Sequence, residues 1–352
     1  PSPDRSKYPG RPSMNTTIEF VKSELQLAYA ALAEFQEIDP AEIDPYYSPD
    51  TYPYVLVQPN GSYVSTWAVR TMQARIALWL GDYQNALNIS EEIINSGVYK
   101  LANTSTYKNM WTRDVSNEVI FRPYMNSQEL SNSIGSAWIG KQTSEADYIP
   151  TPQSITQYKE PGLNALRQER DCRYSAFIEE RTLQTAFGDI NAPCFVKFPG
   201  NRDLMTGATV NLINMPKVFR LSEVYFIAME SAAMLNKENV ANEYLDTYMK
   251  NRVSAYKHDT LSGPSLIEQI RKERGLELNG EGFRLSDLRR WKKGFSRSGG
   301  TLYESNPEIS MILTKAGLTV AYDGDDYRYT WPIPADELQC NPQMAGQQNP
   351  GY

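Results

Sequence analysis

The sequence predicts a mainly α-helical fold in which helical hairpins support long irregular loops, with a minor β element. Three observations carry this expectation. Residues 65–97 read as two antiparallel helices joined by a tight turn. Residues 218–252 repeat that plan. Near the start, Ile18, Val21, Leu25, Ala28, Leu32 and Phe35 step by three and four, the spacing of one helix face.

In the first hairpin, Met72, Ile76 and Trp79 form one apolar stripe, and Ala86, Ile89 and Ile93 form its counterpart, widened by Leu87 and Ile94. Gly81-Asp82 breaks the helix, since glycine tolerates positive φ and aspartate caps the second helix. Ala74, Ala77 and Ala86 are small enough to let two helix backbones approach closely. In the second hairpin Ala232 and Ala241 keep the spacing of Ala77 and Ala86, with Leu235-Asn236-Lys237 at the turn. Such tetratricopeptide-like units cannot bury their apolar faces alone and need neighbours.

The chain opens on an extended, proline-rich stretch, Pro1 to Ser13. Thr16 and Glu19 form a capping box for the first helix, with Asn15 as a rival cap, and the helix ends before Asp39-Pro40. A Pro-, Tyr- and Asp-rich surface loop comes next, with a short strand expected at 54–58 before the turn Pro59-Asn60-Gly61. Residues 100–117 are irregular, Glu118 to Arg122 is a strand candidate, and 126–141 is a small, polar loop holding the isolated Trp138. Helical turns are expected at 153–159 and 164–169. Asp171 to Ile178 and Cys194 to Phe198 alternate as a small antiparallel pair. Residues 201–214 form another loop, Pro264 opens a helix over 265–278, and the tail from Gly299 has little helical signal. No linker divides the chain, so residues 1–352 are expected to form one domain, with a loop region at about 100–215 and a signature region at about 264–352.

Composition narrows the function. A net charge of −7 and a sequence pI near 5.1 argue against a nucleic-acid partner. His258 and three cysteines, Cys172, Cys194 and Cys340, fit no metal or redox spacing. No apolar run approaches the ~20 residues that span a bilayer. The 23 tyrosines and 6 tryptophans are many for a polar chain. Exposed rings suit sugars or peptides, whereas buried ones would pack helix seams.

Several stretches resemble the SusD/RagB family of Bacteroidetes surface nutrient-binding lipoproteins. The most specific is Ile270 to Leu278 followed by Glu281-Gly282-Phe283-Arg284 and Asp287-Leu288-Arg289-Arg290-Trp291. The terminus adds Trp331-Pro332-Ile333-Pro334, Glu337-Leu338, Asn341-Pro342 and Gln348 to Tyr352. The two hairpins, with Arg220 to Tyr225 opening the second, and Tyr148 to Thr151 with Arg170-Asp171 and Arg173 complete the likeness. It implies a SusD-like α/α superhelix that captures an oligosaccharide, or else a peptide, without chemistry. It further implies delivery to a TonB-dependent SusC-like transporter at the outer face of the outer membrane. Family members carry a lipidated cysteine and more repeat helices before the point where this chain starts, so the lipid anchor is expected in that preceding part.

Two features invite other chemistry. Glu273, Glu277 and Glu281 step by four, and glycosidases use paired carboxylates. Interleaved with Arg274 and Arg284, however, they read as a charge-assisted network, and arginine keeps a carboxylate ionised where a general acid must hold a proton. Asp323-Gly324-Asp325-Asp326 lacks the further ligands of a calcium loop and reads as a solvated turn. No catalytic residue, metal or cofactor is therefore expected. Ligand contact is expected at the Trp-bearing loop and its flanks: Arg122, Tyr124, Asn126, Trp138, Lys141 and Tyr148. Aromatic faces there can stack on a pyranose while Asn, Arg and Lys donate to hydroxyls. Trp138 and Tyr124 could equally pack the loop down. The rival classes are a glycoside hydrolase and a cytoplasmic tetratricopeptide adaptor.

Overall fold

The computed structural model describes residues 8–36, 64–123, 170–185, 188–201, 212–257, 259–297 and 320–352, with isolated positions between 135 and 158. Helix α1, Met14–Gln36, presents Ile18, Val21, Leu25, Ala28 and Leu32 as a half-buried stripe, as predicted for these five positions; the side chain of Phe35 lies outside the described ones. Its cap is different. The Ser13 hydroxyl accepts from the Thr16 N–H at 3.1 Å, so the helix starts before the Thr16–Glu19 box and Asn15 lies inside it. A serine one turn earlier satisfies the same orphan donors.

The first hairpin pairs α2, Thr66–Leu80, with α3, Tyr83–Asn95. Ser65 caps α2 by accepting from Ala68, Gly81 closes it at φ 77°, and Asp82 caps α3 by accepting from Asn85. The predicted turn is therefore correct in kind and position. The buried face of α2 is not the predicted one. Ala68, Ala74, Ala77 and Leu78 are buried, Met72 and Ile76 are only half-buried, and Trp79 is 42% exposed. Close approach of α2 to its neighbours selects alanine over the bulky stripe. On α3 the predicted Ala86, Ile89 and Ile93 are all buried, with Leu87.

After the short α4, Asn109–Thr112, strand β1, Val119–Phe121, confirms the strand expected at 118–122. Next come α5, Cys172–Phe177, and the β2–β3 hairpin, Ile178–Thr185 with Gly188–Phe195, antiparallel from Ile178↔Phe195 onward. The alternation over 172–177 predicts extended chain, and the structure differs. Asp171 accepts from the Arg173 N–H and caps a helical turn, while its own backbone bridges to Val253. Cys194 and Phe195 do lie in a strand, but their partners begin at Ile178. The predicted helix at 153–159 is represented by a helical Ser154-Ile155. The expectations at 54–58, 164–169 and His258 lie outside the described residues.

Strand β4, Phe219–Arg220, pairs with β1 and leads directly into α6, Leu221–Met234, which with α7, Glu238–Lys250, forms the second hairpin. Helix α6 is the centre of the fold. Every residue from Leu221 to Ala233 is buried, and α2, α3, α7 and α8 (Gly263–Glu277) all pack on it. A helix buried on all sides needs covering on all sides; the two hairpins with α8 supply that cover, and its glutamates Glu223 and Glu230 are paired with Arg75 and Arg290. Ala86, Ala232 and Ala241, all 0% exposed, sit in this one core. Helix α9, Arg284–Arg290, the β5–β6 pair (Phe295–Arg297, Val320–Tyr322) and α10, Ala335–Cys340, complete the described chain. Among the described residues no helix is long and apolar enough to cross a membrane.

Close packing on α6 has a direct consequence. Ala86→Leu inserts three carbons where no space exists and is expected to lower stability by about 1–3 kcal/mol. Chemical denaturation followed by circular dichroism measures it; an unchanged midpoint would contradict the close approach.

Candidate functional site

The carboxylates singled out from the sequence are inside the protein. Glu273 and Glu277 are 0% exposed, and Glu281 lies just past the end of α8 in the turn that Gly280 makes at φ 76°. A side chain at Gly280 would also run into the Phe195 ring, 3.0 Å from an added Cβ. Glu277 accepts from Arg220 at 2.7 Å, Arg252 at 3.0 Å, Tyr107 at 3.0 Å and Tyr248 at 2.6 Å. Glu118, just before β1, shares the two arginines, each at 2.8 Å. Glu281 takes Arg220 Nη2 at 2.6 Å and Lys197 Nζ at 2.6 Å. Glu273 pairs with Arg173 at 2.7 Å, which also binds Asp171 through both carboxylate oxygens.

The expected network is present, but with other partners. Arg274 turns instead to Asp287, at 2.7 Å, and the guanidiniums around the glutamates come from Arg173, Arg220 and Arg252. These arginines lie far away in sequence, so helical spacing gives no sign of them.

Electrostatics keeps Glu277 and Glu281 from holding a proton. Burial alone would push Glu277 up, but Arg252, Arg220, Arg173 and Lys197 outweigh it and hold it well below the ordinary carboxylate range. Burial likewise opposes Arg220 and Lys197 at Glu281, and the cations win. Burial lowers Lys197 to about 8 despite Glu281. A glycosidase needs one carboxyl protonated near neutrality, and neither group provides it.

Next to this network an open cavity of about 460 Å³ is walled by Arg75, Leu78 and Trp79 from α2 and by Trp111, Phe198 and residues 216–218. Arg274, the turn 280–283, Ser286, Asp287 and Arg290 complete the wall. Its size falls in the range of small-molecule sites. Every cation on the wall has a carboxylate. Arg75 grips Glu223 at 2.6 and 2.7 Å while lying between the Phe219 and Phe283 rings. Arg290 holds Glu230 through two 2.6 Å bonds and Asp287 at 3.0 Å. Lys217 pairs with Asp114. Trp111 joins network and cavity: Lys197 lies 4.4 Å from its ring, Lys217 and Arg220 each 5.2 Å.

Of the loop residues expected to touch ligand, Tyr124, Asn126, Trp138, Lys141 and Tyr148 lie outside the described residues. Arg122 is described, and it is 1% exposed. Its guanidinium is enclosed at the end of β1, where it adds to the positive field at Lys217, and is not offered to solvent. The aromatic surplus is also redistributed. Tyr107, Tyr158 and Tyr248 are buried with Trp111, because carboxylates can satisfy their hydroxyls, as Glu277 does for two of them. Helical spacing assigns Trp79 to the core, yet it stands at the cavity. The signal that could have found it is its place in the last turn of α2, beside Gly81.

Residues 194–352 match the model of the SusD family. The fold is shared with a SusD superfamily protein from Bacteroides vulgatus at TM-score 0.69 and 23% identity, covering 98% of this chain and 67% of that one. A SusD-like carbohydrate binding protein from the same species gives 0.60 at 17% identity, with 91% and 65% covered. A laminarin binding SusD-like protein gives 0.55 at 20%, with 83% and 63% covered. The chain thus spans about two thirds of the length of these proteins. No curated protein sequence matches it. The carboxy-terminal part of this chain is thus similar to the SusD family, and its mainly helical fold is one that SusD superfamily structures share.

The network sets a pH dependence. Glu277 and Glu281 bind protons less readily folded than unfolded. The stability they add is therefore complete above the ordinary glutamate value of about 4.3 and lost as pH falls below it. Thermal melts are expected to drop steeply on acidification below about pH 4.3. Glu281→Gln, which leaves Arg220 and Lys197 short of a counter-charge, is expected to cost about 3–5 kcal/mol at neutral pH and to flatten that acid slope. An unaltered slope would contradict the assignment.

Proposed function

We propose that this chain captures an oligosaccharide at the bacterial cell surface, without chemical change, and hands it to a TonB-dependent SusC-like transporter. One observation carries the non-catalytic part. The carboxylates that resemble a hydrolytic pair are enclosed, ion-paired and held ionised, while the neighbouring open cavity is walled by aromatic rings. Binding without turnover requires this division: fixed charges inside, apolar and hydrogen-bonding surface outside. Two structural relatives whose names state carbohydrate or laminarin binding support the ligand class. The loop from Tyr124 to Tyr148, with Asn126, Trp138 and Lys141, is the proposed specificity element, since loops on a rigid scaffold vary while the scaffold does not. A lipid anchor in a preceding segment would hold the protein at the outer membrane.

Isothermal titration of the purified chain with laminarin and with maltoheptaose tests the reading, with chromatography of the recovered sugar. Saturable binding of one of them with intact recovery is expected. Release of shortened sugar would replace capture by hydrolysis. Trp138→Ala and Tyr124→Ala are expected to weaken binding, and unchanged affinity would take both residues out of the site.

A further inference from the structure

We infer that the cavity between Trp79 and Phe283 is itself a binding subsite for one uncharged, ring-shaped polyhydroxyl unit, such as a neutral hexopyranose. This deepens the proposed carbohydrate capture and rests on it. It places one sugar unit at the hairpin scaffold, on residues other than those the sequence favours.

Three features define the ligand class. Rings come first. Trp79 is 42% exposed in the last turn of α2 and lies on the cavity wall. Phe283 is half-buried, with Arg75 at 5.0 Å and Arg274 at 5.3 Å from its ring. Two such rings on one cavity offer the stacking that the apolar face of a pyranose accepts.

Charge comes second. The four cations on the wall, Arg75, Lys217, Arg274 and Arg290, are each matched by a carboxylate: Glu223, Asp114, Asp287 and Glu230. Glu281 is matched by Arg220 and Lys197. A ligand carrying formal charge would meet no unmatched partner and would lose its hydration. A neutral ligand suffers no such loss.

Uncharged polar contact comes third. Ser286 adds an exposed hydroxyl to the wall, which can donate or accept. Hydroxyl and ring oxygens of a pyranose match it without bringing charge.

The experiment compares wild type with two variants whose side chains face outward, Trp79→Ala, which removes the stacking ring, and Ser286→Trp, which fills the space. Titration uses laminarin and maltoheptaose as neutral probes and polygalacturonate as an acidic one. A neutral probe is expected to bind wild type, and each variant to lose about fivefold to tenfold in affinity, with thermal midpoints kept. Polygalacturonate is expected to bind more weakly than the neutral probe. Wild-type binding left intact by both variants overturns the subsite while leaving carbohydrate capture standing. Preferential binding of polygalacturonate overturns the uncharged ligand class. Absence of binding by wild type to either neutral probe overturns the capture reading and the subsite together.

Discussion

Five carboxylates, Asp171, Glu118, Glu273, Glu277 and Glu281, and four cations, Arg173, Lys197, Arg220 and Arg252, are shut together inside this protein. Charges removed from water survive only when every one is paired and hydrogen-bonded. That condition ties together segments with no other reason to meet. Arg220 must stand at the start of α6, Arg252 after α7, Glu277 at the end of α8 and Glu118 beside β1. The second hairpin is thereby fixed against α8 and the 118–122 strand in a single arrangement. Apolar packing on α6 supplies the bulk of the driving force; the ion network selects one register among those that packing alone would allow.

The same constraint shapes the surface. Because Trp111 is held among Lys197, Lys217 and Arg220, the ring is a fixed wall between charge and cavity. Gly280 turns the chain tightly over Phe195 and Phe198, which places Glu281 back toward Arg220 and Phe283 out toward Trp79. One short turn therefore serves both sides. Its carboxylate closes the network and its phenylalanine lines the opening. Rigidity of this kind suits the proposed capture, since little ordering is required when a ligand arrives.

The charged signature that most resembles catalysis in the sequence thus has a structural role. Residues 270–291 hold helices together through Glu273, Glu277, Arg274–Asp287 and Arg290–Glu230, and Trp291 donates to Glu230 at 2.7 Å. Nothing in that motif determines a particular sugar. Under the proposed capture, specificity falls to aromatic and polar groups around the rim, which can change without disturbing the paired charges beneath.

The individual elements were legible along the chain. Apolar residues at helical spacing set α1 and α3, Gly81-Asp82 and Leu235-Asn236-Lys237 set both hairpin turns, and the alternation of glutamate with arginine already spoke against a free acid–base pair. These are local effects, each decided within a few residues. Long-range packing settled the remainder. Only contact with α6 turned Trp79 outward in favour of Ala74 and Ala77, and only a bridge to Val253 with the Asp171 cap made a helix of 172–177. Only the fold brought Arg173, Arg220 and Arg252 to glutamates that lie far from them along the chain. Spacing along a chain reports which face a residue occupies; which charge or ring it meets depends on what covers that face, and covering is a property of the folded whole.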